Sequence, residues 1–353
     1  MTVEVLRSVS ELRDVTEPWA ALADAADARF NMQPFWCVPW WKAVGKGELY
    51  VAVVESGGQL AALAPLYRER RFGVDTLRFL GSHMLGVSEV LVAPDQDGAG
   101  DELWDFLLNR PRCIVDLWQL RLAGPGAAAL RRTEGHPRRL LLGPASPFVS
   151  LDGSWDDYWV TRRLKFRREL ERTERAAERQ GVPVRIEIAL DPDDVDKRLP
   201  DVAKVFAAAE RARSRLPMFS DVFRPFTLEM AQLAAEQTRL ALFVLYLGDT
   251  PAATLFTLRG PTTMGASGLR FDPDFARFSP GMLLLRHIVE HAFSSGCAVF
   301  DFGPRDVPYK REWATGAYDT IQIESFSSPA VQAVFVAQTF LESRRSGKAP
   351  SDD

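Results

Sequence analysis

The chain has 353 residues, 46% of them hydrophobic and 25% charged, with a formal net charge of −4. This length exceeds one ordinary core and predicts two domains of about 100–200 residues each, and the composition is that of a globular protein in water. The net charge excludes wholesale coating of DNA but leaves room for a local basic face.

The first residues, MTVEVLRSVSELRDV, lack a basic start followed by an apolar run, so no signal peptide is expected. No apolar stretch approaches the ~20 residues of a membrane span. Cys37, Cys113 and Cys297 are odd in number and scattered, which fits a reducing cytoplasm and no thiolate zinc site. Residues 11–27 are predicted to be helical, and PFWCVPWWKAV (34–44) carries aromatics into the first core. Two strands flank a Ser-Gly-Gly turn in LYVAVVESGGQLAALAPLYRE. Far downstream, LALFVLYLGDTPAATLFTLRG repeats the plan around a Gly-Asp turn, with Ala252-Ala253 in the place of Ala61-Ala62. The self-similarity points to two related halves. Between them, residues 125–147 are rich in Gly, Pro, Ala and Arg and read as a linker or edge strand.

A helix is expected from Ser154, whose spacing to Asp157 is that of a capping box, through to Gly181. Trp159, Phe166, Leu170, Thr173 and Ala177 fall on one stripe of it. Residues 162–179 hold eight Lys/Arg against four Glu. This is either a solvated face with pairs such as Lys165–Glu169 and Arg167–Glu171, or a surface for phosphates; interleaved acid and base favour the first. Strands near 240–247, 252–259 and 262–269 precede a helix at 281–295, a strand at 298–302 and another at 320–326. The polar tail, 342–353, is predicted to be disordered.

Three stretches have the composition of a site. Ser279-Pro280-Gly281 precedes an apolar helical run, with Ser279 placed as N-cap and Pro280 as the first helical residue. Free N–H groups and the positive end of the helix dipole suit such a terminus to a pyrophosphate; an ordinary capped helix has the same spelling. HIVEH (287–291) matches a zinc-peptidase pattern, but a third ligand is not identifiable and Leu283, Leu284, Ile288 and Val289 must pack on the same helix, so no metal is expected. In FDFGPRDVPYKREW (300–313), Asp301 alternates with Phe300 and Phe302 and so faces the other side of its strand. Tyr309 is a candidate proton donor, Lys310 a cation for an oxyanion or phosphate, and Trp313 a pocket wall. An Asp301–Lys310 or Asp306–Arg311 pair that staples the loop is the structural alternative.

The runs LFVLYLGDTPAATLF, GLRFDPDFARFSPGMLLLRHIVEHA and VFDFGPRDVPYKREW, in this order, resemble the GNAT superfamily and, within it, the CelD-type (cellulose-biosynthesis-like) acyltransferase branch. The basic LKFRRELERTER and the upstream WAALADA and PFWCVPWW fit the same pattern. The resemblance covers nearly the whole chain and is strongest over 157–313. That branch is similar to the Fem-type peptidyltransferases, which have two tandem GNAT-like domains and use aminoacyl-tRNA instead of acyl-CoA.

The resemblance implies an α/β (α+β) fold of two tandem GNAT-like domains, each a mixed, mainly antiparallel sheet flanked by helices. The expected limits are 1–150 for the first and 151–341 for the second, which would hold the donor. It implies an N-acyltransferase forming an amide from acyl-CoA and a small-molecule amine. The alternatives are an aminoacyl-tRNA-dependent transferase acting on a small molecule or cell-wall precursor, and a non-catalytic binding protein. The donor-phosphate loop falls on Arg277, Ser279, Gly281, Met282 and Leu283, and the acyl slot on Ala266, Ser267, Gly268 and Leu269. Arg277-Phe278-Ser279-Pro280-Gly281-Met282 keeps only part of the basic-x-x-Gly-x-Gly/Ala signature, and Pro280 lacks a backbone donor. For the chemistry, Asp301 or Glu324 would relay the amine proton, Tyr309 would protonate the leaving group and Lys310 would balance the intermediate's charge. Trp313, Arg305, Asp306, Lys165 and Arg168 are assigned to the acceptor, which would lie between the halves near the basic helix and the 81–92 loop. A monomer or homodimer is expected.

Overall fold

Both turns singled out in the sequence are hairpins. In the first, Gly57 and Gly58 have φ of 60° and 76°, the left-handed values that a tight turn between twisted strands requires. The computed structural model describes residues 2–81, 84, 86–133, 138–212 and 218–346.

In chain order the first elements are β1 (Val3–Leu6), α1 (Val9–Ala25), α2 (Pro34–Val44), β2 (Glu48–Ser56), β3 (Gln59–Arg71), β4 (Val74–Phe79), β5 (Leu91–Val92), α3 (Asp97–Leu108), β6 (Cys113–Arg121), α4 (Pro125–Arg132) and β7 (Arg138–Leu142). There follow β8 (Ser146–Ser150), α5 (Trp155–Thr161), α6 (Leu164–Arg179), β9 (Val184–Ala189), α7 (Pro192–Ala212), α8 (Arg224–Glu236), β10 (Leu240–Leu247), β11 (Thr250–Arg259) and β12 (Thr263–Phe271). The chain closes with α9 (Pro280–Phe293), β13 (Val299–Asp301), α10 (Pro308–Trp313), β14 (Gly316–Tyr318), β15 (Thr320–Phe326) and α11 (Pro329–Ser346).

These strands form two mainly antiparallel sheets flanked by helices. The first runs β1-β2-β3-β4-β6-β15-β7, with β5 on β3, and the second β14-β8-β13-β12-β11-β10-β9. Helices α1, α2, α7 and α8 lie between the sheets: Trp19, Trp36 and Phe226 share one buried cluster with Val51 and Leu63 of the first sheet and Val244 and Phe256 of the second. The outer face of the first sheet is covered by α3 and α4, and that of the second by α6 and α9. The halves therefore meet through a common apolar layer rather than a thin linker.

The sheets do not divide at residue 150. β8, which precedes the expected boundary, pairs with β13 and β14 in the second sheet, whereas β15 crosses back to pair with β6 and β7 in the first. Residues 125–147 include the helix α4 and the edge strand β7, so they are more than a linker. The long helix from Ser154 breaks at Arg162, whose backbone is extended (φ −73°, ψ 151°). Ser154 does cap the first piece, its hydroxyl accepting from the Asp157 N–H. Residues 342–346, expected in a disordered tail, continue α11, and 347–353 lie outside the described residues.

Candidate active site

Only three rungs join β12 to β13: Thr263 to Val299, Met264 to Phe300 and Gly265 to Asp301, in parallel. Beyond them β12 continues to Phe271 while β13 ends, so the sheet forks. Within the free part of β12, Gly268 and Leu269 together oppose Leu255 of β11, a bulge. Gly268 has φ 75°, and a Cβ there would come within 2.8 Å of the Met218 sulfur, so the position needs glycine on both counts. A bulge frees backbone groups from the ladder, and this one falls on the Ser267-Gly268-Leu269 expected to form the acyl slot.

A groove of about 390 Å³ opens on the outer face of the second sheet, within the size range of small-molecule sites. It gathers Lys165 and Phe166 from α6, Ser279 and Met282 from the start of α9, and Tyr309 and Glu312 from α10. Three features recognised separately in the sequence therefore meet in one place. The face is of mixed charge: Arg163 pairs with Glu312 at 2.8 Å, and farther along α6 Glu174 pairs with Arg286 at 2.8 Å. On α6 itself the described acid–base contact is Arg175 with Glu171, at 3.9 Å.

At the start of α9, Ser279 holds the N-cap position but not by its hydroxyl. Its backbone is left-handed (φ 46°) and its side chain makes no cap bond, leaving it at the groove. Its carbonyl accepts from the N–H groups of Met282 and Leu283 at 2.9 and 3.1 Å. With Pro280 lacking an N–H, the first turn offers a phosphate fewer backbone donors than an ordinary helix start. The groove has both apolar (Phe166, Met282) and cationic (Arg163, Lys165) lining, and the start of α9 is poorly built as a pyrophosphate cradle. Arg277 is exposed and stacks over Phe278 at 4.5 Å.

Several assigned residues stand elsewhere. Trp313 is fully buried, stacked on Trp159 at 5.8 Å and edge-on to Phe166 at 5.0 Å, so it supports the groove wall from behind instead of forming it. Lys310 is turned inward, and its ammonium donates to the carbonyls of Gly303 (2.7 Å) and Pro304 (3.0 Å). Burial pushes its pKa down to about 8, against the pull of nearby Asp301. The Asp306–Arg311 pair exists, at 2.7 Å and exposed. Arg305 and Arg168 are exposed and outside the groove lining. Glu324 belongs to the first sheet, where it accepts from Gln322 at 3.1 Å and faces Arg139 at 3.7 Å; it does not line the groove.

Asp301 faces away from Phe300 and Phe302, as alternation requires, and points toward the other half. It accepts from the Ser146 hydroxyl at 2.7 Å and the Gly303 N–H at 2.8 Å, and pairs with Arg29 at 3.2 Å. Sequence reading missed Arg29, because a single arginine in DARFNMQPF matches no motif and its partners lie far along the chain. In HIVEH, His287 faces Glu174 at 3.8 Å, while His291 packs edge-on against Phe243 and burial lowers its pKa. Among the described residues no cluster of His, Cys, Asp or Glu has the grouping to hold a metal.

The first half has its own three-rung fork, Asp75 to Leu77 of β4 against Cys113 to Val115 of β6. There the next pair of residues, Arg78 and Asp116, closes the gap with an ion pair at 3.0 Å. Its helix α3 starts on Asp97, with Asp101 one turn on, a poor setting for an anion. Among the described residues, it is the second half that keeps an open fork and carries the groove.

The family model described as an acetyltransferase (GNAT) domain matches residues 164–311. No curated protein matches the chain in sequence. Among solved structures, FemX superposes with a TM-score of 0.65 at 10% identity, over 95% of this chain and 100% of that one. A C-terminal domain (DUF2156) described as that of a lysylphosphatidylglycerol synthetase from Agrobacterium fabrum gives 0.59 at 13% identity, over 93% and 96%. L-PGS from Bacillus licheniformis gives 0.50 at 12% identity, over 82% and 88%. At these identities the likeness is one of fold. The family match falls on the half that keeps the fork and the groove, and over residues 164–311 the chain is similar to an acetyltransferase (GNAT) domain.

Proposed function

We propose that the protein is an N-acyltransferase that moves an acyl group from acyl-CoA to an amine acceptor. The observation that carries this reading is the groove that joins Lys165, Ser279, Met282 and Tyr309 in the half whose strands β12 and β13 fork. Lys165 and the Gly281 region would hold the donor's phosphates, and the bulged backbone at Gly268-Leu269 would meet the acyl carbonyl oxygen. Bound acyl-CoA supplies an activated thioester carbonyl. The amine nitrogen bonds to that carbon, the carbon–sulfur bond breaks, and the thiol leaves with a proton.

In this reading Tyr309, 37% exposed, is the catalytic proton donor to the leaving thiolate. Lys310 is a positioning residue: it fixes the Gly303-Pro304 turn from which α10 presents Tyr309. Thiol release from a panel of CoA esters, dependent on an added amine and matched by amide product, tests the proposal; its absence from every pair refutes it.

A second donor, an aminoacyl-tRNA, is favoured by one observation. The α9 terminus is short of free N–H groups, while α6 presents exposed Lys165, Arg168 and Arg172 next to the groove. Charged tRNA that binds with a steep salt dependence, where CoA does not bind, would select it.

A further inference from the structure

At the root of the β12–β13 fork is a small cavity, about 10 Å³, lined by Arg29, Asn31, Gly265, Ala266, Asp301 and Gly303 among others. That is room for about one oxygen atom or water molecule. Arg29 and Asn31 are 4% and 6% exposed, yet Arg29 Nη2 and Asn31 Oδ1 have no hydrogen-bond partner. Buried polar atoms of this kind are rarely left unpaired. The rest of the Arg29 guanidinium is engaged: Nη1 donates to the Thr263 hydroxyl, Nε faces Asp301, and the plane lies over the Tyr318 ring at 4.5 Å.

We propose that this cavity is a subsite for a single neutral hydroxyl, water in the free protein and a hydroxyl on the transferred acyl group when the donor is bound. Three features set the chemistry. The Arg29 guanidinium already faces the Asp301 carboxylate at 3.2 Å, so its charge does not require an anionic ligand. The unpaired atoms are one donor and one acceptor, and a hydroxyl both accepts from Arg29 and donates to Asn31. The cavity admits one oxygen and no more. Its place fits as well: the bulge at Gly268 lies two to three residues along β12 from the cavity, about 7–10 Å of strand. An acyl group with its carbonyl at the bulge therefore reaches the fork root with its chain. This rests on the acyl-transfer reading above, and it makes Arg29, supplied by the other half of the molecule, a specificity residue.

The first arm of the test needs no donor. A high-resolution crystal structure of the full chain is expected to show an ordered water bonded to Arg29 Nη2 and Asn31, and an empty fork root overturns the proposal. In the second arm, 2-, 3- and 4-hydroxybutyryl-CoA are compared with butyryl-CoA. The best of the three is expected to exceed butyryl-CoA at least about tenfold in kcat/KM. Asn31→Leu, which fills the cavity without touching the ion pair, is expected to abolish the preference but not the transfer. If that variant does not fold, Arg29→Lys, which keeps the charge beside Asp301, makes the same comparison. Equal use of all four esters by the wild-type protein overturns the proposal, as does a preference that survives both variants. Should no CoA ester react, seryl-tRNA against alanyl-tRNA repeats the comparison for the other donor, and a water at the fork root with preference for the seryl donor means that only the CoA reading has failed.

Discussion

The Lys310 ammonium lies 2.7 Å from the carbonyl oxygen of Gly303, two residues past the end of β13, and 3.0 Å from that of Pro304. A charged donor with two buried acceptors is a brace for the turn. Lys310→Met is expected to cost about 1–3 kcal/mol, through the two carbonyls left unpaired. It should lower kcat of the folded fraction less than tenfold. Paired thermal melts and active-site-normalised kinetics check this. An unchanged melting temperature with a 10²–10³-fold loss of kcat would instead place the ammonium at the reacting carbonyl.

The same lysine predicts a pH dependence of stability. Burial holds its pKa down to about 8 in the folded chain, against 10.5 for an ordinary lysine. Between those values the unfolded chain binds more protons than the folded one, so stability rises with pH through that window, by at most about 1.4 kcal/mol per unit. Urea denaturation of the wild-type protein and Lys310→Met at intervals from about pH 7.5 to 10.5 should show the rise in the first and not in the second. Parallel curves would mean that Lys310 does not titrate there.

Gly281 gives a clean probe of the donor loop. A Cβ at this position meets the Phe271 ring at 3.4 Å, an ordinary contact, so Gly281→Ala should fold normally. A bulkier Gly281→Val puts methyl groups at the start of α9 beside Ser279 and Met282. Donor KM is expected to rise about tenfold or more, with kcat less affected, as when ground-state binding is lost. Unchanged donor affinity in a well-folded Val variant would reduce the loop to a helix cap.

Tyr309→Phe removes one oxygen from a partly exposed ring and should leave the melting temperature within about 1–2 °C. If the phenol protonates the leaving thiolate, kcat falls about 10²–10⁴-fold with donor KM nearly constant. The loss should shrink with donors whose leaving group is more acidic. A uniform loss across leaving groups would assign Tyr309 to binding.

His287→Ala tests the remaining motif. The His287 imidazole faces Glu174, and Arg286 pairs with the same carboxylate at 2.8 Å, so the substitution should change stability by less than about 1 kcal/mol. Elemental analysis is expected to find no stoichiometric zinc in the wild-type protein; one zinc per chain, lost on this substitution, would restore the metal reading.

Local pattern was enough to determine most elements of this protein. The continuous apolar runs on either side of the Gly-Asp turn became β10 and β11, the Ser-Pro-Gly start opened α9, and Asp301 turned away from Phe300 and Phe302, because strand runs, strand alternation and helix starts depend on neighbouring residues. The family likeness was also legible in the order of those runs. Tertiary structure alone decided which sheet each strand joins: the alternation of TIQIESF is satisfied beside any strand with a free edge, so nothing local told β15 to cross back to the first sheet. It also decided the roles within 300–313. Tyr309 and Lys310 are adjacent, but successive residues of a helix point about 100° apart, so one lines the groove while the other is buried under the turn. The partner of Asp301 could be found only in space, where the loop after α1 brings Arg29 to the fork root and leaves one of its N–H groups unpaired.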